Sequence, residues 1–140
     1  MDRKINTAKE YLAQIQSLNF RIKTLASQRQ SLEDSLMNIS PKLSHMPKAP
    51  SPDVHRMDGL IAAKLDIENK MEAASQKLAE VHKTIAAITQ YELSAVLTYR
   101  YVNRMQWVDI SNELFISESR VYQLHREALT EVEKAINKAA

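Results

Sequence analysis

All four prolines of this 140-residue chain, Pro41, Pro47, Pro50 and Pro52, fall within twelve residues, and Gly59 is the single glycine. Proline lacks an amide donor and disfavours helix in the residue before it, so this window interrupts any helix that enters it. Both breakers are missing from residues 1–40 and 60–140. That distribution argues against many short strands joined by turns and for a few long helices. Residues 40–55 are expected to form an extended Pro-rich linker.

Each side of the linker carries a heptad stripe. The first runs Ala8, Tyr11, Ile15, Leu18, Ile22, Leu25, Arg29, Leu32, Leu36, Ile39, and the second Leu60, Lys64, Ile67, Met71, Ala74, Leu78, Val81, Ile85, Ile88. Alternating steps of three and four keep one seam of an α-helix facing a partner. One cation interrupts each seam, Arg29 in the first and Lys64 in the second; Arg29 either sets register or snorkels to water. Two helices of about 30 residues are expected, each about 45 Å long. Neither can bury its stripe alone. The two pair as an antiparallel hairpin within the chain, pair with a second chain, or do both. Residues 1–90 are therefore read as a helical hairpin or coiled coil, with a homo-oligomer, a dimer, held by the N-terminal helices.

From Tyr91 the long seam gives way to three short, densely apolar segments. Leu93, Val96, Leu97 and Tyr101 mark a helix ending near Asn103. Trp107, Ile110 and Leu114 mark a helix of two turns, and Val121, Leu124, Ala128, Leu129, Val132 and Ile136 mark a longer last helix. In the window 107–126, Ile110 and Leu114 share one face, Ser111 lies where two crossing helices need a small side chain, and Ile116 sits in the turn. Ser117 stands where its hydroxyl accepts from a free amide as an N-cap. That order, with a turn of about three residues, is the helix-turn-helix of DNA-binding proteins. Phe115 occupies the turn site where glycine is usual because φ tends to be positive there. A bulky residue is strained in that conformation, so the turn is expected to relax, with Phe115 tucked against the neighbouring helix.

At 100° per residue, Ser119, Gln123, Arg126 and Thr130 face away from the apolar side of the last helix, flanked by Arg120 and Tyr122. Arginine pairs with guanine and glutamine with adenine, and serine bonds to bases or phosphate. Trp107 shares a face with Ile110 and Leu114 and is read as core. Charge argues the other way. Residues 91–140 carry six Lys/Arg against seven Asp/Glu, while residues 1–90 carry 13 against 10. A head at −1 lacks the basic surface that usually supplies nonspecific DNA affinity.

Leu97-Thr98-Tyr99-Arg100-Tyr101, Trp107-Val108-Asp109-Ile110 and Ser117-Glu118-Ser119-Arg120-Val121-Tyr122-Gln123-Leu124-His125, closed by Ala128-Leu129, resemble the C-terminus of phage late-transcription regulators of the RinA/ArpU type. That C-terminus is similar to region 4 of bacterial sigma factors. Tyr11-Leu12 through Ile15, the Ser/Pro linker and the second helix extend the resemblance over nearly the whole chain. It implies an all-α fold, a helical hairpin followed by a sigma-region-4-like helix-turn-helix head over residues 91–140. It also implies sequence-specific binding of double-stranded DNA and activation of phage or prophage late genes with host RNA polymerase, in the bacterial cytoplasm. By the same analogy bases are read at Glu118, Ser119, Arg120, Tyr122 and Gln123. With Ser117 and Arg126, these form the expected DNA-binding set.

An enzyme is not expected. There is no cysteine, no phosphate-binding glycine loop and no nucleophile elbow. His45, His55, His82 and His125 lack metal-ligand spacing and are read as solvated; no metal or cofactor is expected. No apolar run suggests a secretory signal or a membrane span. Two other readings remain: a phage DNA-handling protein such as a small terminase-like subunit, and a coiled-coil adaptor occupying the sigma region 4 site on polymerase. The terminase-like proteins usually put the head before the stalk, the reverse of this chain.

Overall fold

A computed structural model describes the backbone of residues 2–44 and 52–139, and the side chains of 7–39 and 54–139. It is all-helical, with no strand among the described residues. Helix α1 spans Asp2–Ser44 and α2 spans Pro52–Ala86; α3 (Tyr91–Leu97) runs into a π-helical turn (Thr98–Val102), followed by α4 (Trp107–Leu114) and α5 (Glu118–Ala139).

Both long helices extend into the window expected to be an extended linker. Helix α1 continues through Pro41 to Ser44, and α2 begins at Pro52. A proline at the first helical position costs nothing, because its missing amide would have had no intrahelical partner. Pro47 and Pro50 lie outside the described residues.

Packing divides the chain into two compact units, Met1–Leu18 with Lys77–Ala140, and Asn19–Gln76. Helices α1 and α2 contribute to both, so the units do not follow the division at residue 90 drawn from sequence. In the smaller unit the two helices pack along their stripes. Leu25, Ile39 and Ala74 are buried, and Ile22, Leu32, Leu36, Leu60, Ile67 and Met71 are half-buried. The two cations that interrupt the seams meet the same carboxylate. Lys64 Nζ lies 3.4 Å and Arg29 Nε 3.9 Å from Glu33 Oε1. Such partly exposed pairs stabilise by less than about 1 kcal/mol each. Of the two, the Lys64–Glu33 pair crosses from α2 to α1 and ties the register of the helices, whereas Arg29–Glu33 lies within α1. Phe20, Met37, Ile61 and Leu65 lie outside the seams and are exposed.

The larger unit holds the main core. Its buried side chains come from α1 (Ala8, Leu12, Ile15), the end of α2 (Val81, Ile85), α3 (Leu93, Val96, Leu97), α4 (Ile110) and α5 (Val121, Leu124, Ala128, Leu129, Val132). Helix α5 packs on both α3 and α4. Tyr11 Oη and Thr84 Oγ1 share a hydrogen bond of 2.8 Å between α1 and α2. Helix α2 ends where Ala87 and Ile88 donate back to Lys83 and Ile85. Extended backbone at Gln90 then starts α3, whose first amides include Ser94 N–H bonded to the Gln90 carbonyl.

Candidate nucleic-acid interface

Helix α4 and α5 are joined by Phe115, Ile116 and Ser117, and each of the three has a distinct task. Ile116 N–H donates to the Ser111 carbonyl at 3.1 Å and Phe115 N–H to that of Asn112 at 3.4 Å. The Ser111 hydroxyl donates to the Ile116 carbonyl at 2.6 Å. These bonds close α4 in the manner usually completed by a left-handed glycine. Phe115 takes that conformation instead, with φ 57° and ψ 41°. The expectation that the turn relaxes and tucks Phe115 against a neighbouring helix is corrected, because the ring is 94% exposed. The backbone bonds on either side hold the turn, and Ile116 is the residue that packs on the core.

Ser117 caps α5 as its position suggests. Arg120 N–H donates to Ser117 Oγ at 3.1 Å, and Val121 N–H to the Ser117 carbonyl at 3.0 Å. With the helix start fixed, Val121, Leu124, Ala128, Leu129 and Val132 are buried against α3 and α4. Ser117, Glu118, Ser119, Arg120, Tyr122, Gln123 and Arg126 are all exposed. All seven residues of the expected set therefore lie at the solvent side of the first turns of α5. The Arg120 guanidinium is 3.7 Å from the Glu92 carboxylate at the start of α3.

Behind this surface lies a cluster that sequence reasoning missed. The Tyr101 hydroxyl and His125 Nε2 share a hydrogen bond of 2.8 Å. The His125 ring meets Trp107 edge-on at 4.6 Å, and Trp107 in turn lies 5.2 Å from Tyr122. The Arg100 guanidinium sits 4.3 Å over the indole and donates to the Met105 carbonyl at 2.9 Å. Trp107 packs against the core but is only half-buried. The reading of His125 as solvated is corrected, since it is 8% exposed. Burial, with the positive fields of Lys9 and Arg100, pushes its pKa down to about 4. Burial raises the Tyr101 pKa, and Arg100 partly offsets that rise. One sequence signal was available: at i+4 from Val121, His125 falls on the buried arc of α5.

Arg100 and Tyr101 are carried by a π-helical turn in which Asn103 N–H bonds to the Thr98 carbonyl five residues back, at 2.9 Å. The Thr98 hydroxyl donates to the Ser94 carbonyl at 2.9 Å. Arg104 follows with φ 60°. Among the described residues no three His, Cys, Asp or Glu side chains come together as a metal site, and no helix is long and apolar enough to cross a membrane. Neither the curated proteins nor the solved structures gave a match to this chain. Residues 51–133, covering α2 through most of α5, match the family described as "Protein of unknown function (DUF1492)", and the chain belongs to that family.

Proposed function

We propose that this protein is a sequence-specific DNA-binding transcription regulator of the phage late-gene type, reading the major groove with the N-terminal half of α5. The observation that carries the reading is the exposed polar face at the capped start of α5. Arg120, Gln123, Ser119 and Arg126 are all exposed there, on a helix held by a three-residue turn from α4. A recognition helix of a DNA-binding helix-turn-helix contacts base edges with those first turns. Arg120 and Gln123 supply base contacts, each contributing about 1–3 kcal/mol of discrimination, and Arg126 meets phosphate. The exposed Arg120–Glu92 pair is weak and is exchanged for the base contact.

Selection of bound fragments from a random duplex pool tests the reading. A recovered motif supports it, and enrichment no better than nonspecific binding overturns it. Within a recovered motif, Arg120→Ala should flatten the preference at one base pair, whereas Arg126→Ala should weaken all sequences alike. Wild-type affinity in both variants would remove those assignments.

A second reading is favoured by the charge balance of −1 over residues 91–140 and by the exposed Phe115 ring. In it the head is an adaptor that docks on RNA polymerase in the place of sigma region 4, without touching DNA. Polymerase binding with no recovered motif would select it.

A further inference from the structure

A pocket of about 250 Å³ opens between α1 and the π-helical turn, lined by Leu12, Ala13, Gln16, Arg100, Tyr101 and Arg104. We infer that it is a binding site for a phosphate group, held by the Arg100 and Arg104 guanidiniums with the Gln16 amide as a further donor. The inference concerns a different surface from the solvent face of α5 and stands whether or not α5 reads DNA.

Charge carries the first step. Among the described residues neither Arg100, Arg104 nor the nearby Lys9 is paired with a carboxylate. Two guanidiniums at one concavity repel each other unless an anion sits between them, and their planar forks match phosphate oxygens in bidentate fashion. The field there is positive enough to act on a neighbour, since Lys9 and Arg100 both lower the proton affinity of His125.

Preorganisation carries the second step. Arg100 is fixed on one side by its bond to the Met105 carbonyl and on its face by Trp107, so little side-chain entropy is lost when an anion arrives. Leu12, which lines the pocket, is fully buried. Unusual backbone conformations also occur at these residues. The π-helical turn carries Arg100 and Tyr101, and Arg104 adopts a left-handed φ that ordinary side chains avoid. Such deviations persist at ligand sites because ligand contacts make use of the placement they create.

Phosphate can come from a DNA backbone or from a small phosphorylated molecule, and the test separates the two. Trp107 is the single tryptophan and touches Arg100, so its fluorescence reports on the pocket. In the full-length protein at constant ionic strength, inorganic phosphate should shift Trp107 emission saturably while chloride does not. Arg104→Ala and Gln16→Ala alter exposed residues and should leave thermal melting in place. Arg104→Ala should weaken phosphate binding by about tenfold or more, with Gln16→Ala weaker in effect and Arg104→Lys intermediate. If a nonspecific duplex competes with phosphate, the source is the DNA backbone, and Arg104→Ala should lower the salt slope of duplex binding by about one. If a nucleoside monophosphate competes and the duplex does not, the ligand is a small phosphate ester. An equal response to chloride, or titrations unchanged in Arg104→Ala and Gln16→Ala, overturns the inference.

Discussion

His125 and Phe115 show how far one side chain can depart from what its type suggests. In the unfolded chain histidine titrates near 6.5, whereas in the fold His125 titrates at about 4. Between those values the unfolded state binds the extra proton, so stability must fall as pH is lowered through that window and level off below it. The loss should be about 1.5 kcal/mol between pH 6.5 and 5. Urea unfolding of wild type and His125→Phe at those two pH values measures it, the variant lacking this component. An identical pH dependence in both would contradict the placement of His125. Phe115 departs in the other direction. Its left-handed backbone costs on the order of 1–2 kcal/mol, and its ring, almost fully exposed, returns no packing within the chain. Phe115→Gly should therefore stabilise by roughly 0.5–1 kcal/mol after the extra entropy of an unfolded glycine is subtracted. A midpoint shift in urea to lower stability would show that the ring does pack.

At the level of elements, the sequence was most legible where apolar spacing is regular. The two stripes mark α1 and α2, and the short clusters mark α3, α4 and α5, because a helix buries one face at a fixed period. The cap at Ser117 and the small buried Ser111 were also readable, since each follows from where one helix must start and two must cross. Three features were not. Leu12 lies off the α1 seam, yet it is fully buried because that end of α1 also packs with the C-terminal helices, a contact the period of one helix cannot reveal. The π-helical turn has no residue pattern of its own. The left-handed Arg104 stands where neither glycine nor asparagine announces a positive φ. Leu12 gives the test of this shared core. Leu12→Ala should destabilise by about 2–5 kcal/mol and shift the unfolding transition of Trp107, although Trp107 lies 95 residues away in sequence. A Trp107 transition unmoved by Leu12→Ala would mean that α1 is not part of the core that holds α4 and α5.

For the molecule as a whole, the open question is how a head at −1 could hold DNA. Two heads on one site supply a second set of contacts without a second full association cost, and for this reason we propose a dimer. The stripes read from sequence are largely used inside the chain, as the burial of Leu25, Ile39 and Ala74 in the smaller unit shows. What remains there for a partner chain is the set outside the seams. Ile61 and Leu65, four apart on α2, are 46% and 60% exposed, and Phe20 and Met37 of α1 are exposed further still. Fully burying an aliphatic side chain of this size contributes about 1.5–3 kcal/mol, so pairing several across two chains can hold a dimer at micromolar concentration. A fragment of residues 91–140 cannot test this, because it lacks the Ala8, Leu12, Ile15, Val81 and Ile85 side chains that complete the head's core. The full chain can. Light scattering should find a dimer of the 16.0 kDa chain, and Ile61→Glu with Leu65→Glu should yield a monomer that melts like wild type at the Trp107 signal. The operator should then hold two half-sites one helical turn, or a multiple of it, apart. The monomeric variant should still prefer the half-site but lose the added affinity of the pair. A wild-type chain that stays monomeric at tens of micromolar would remove the dimer, and a double variant that binds the full operator as tightly as wild type would show that pairing contributes nothing to DNA affinity.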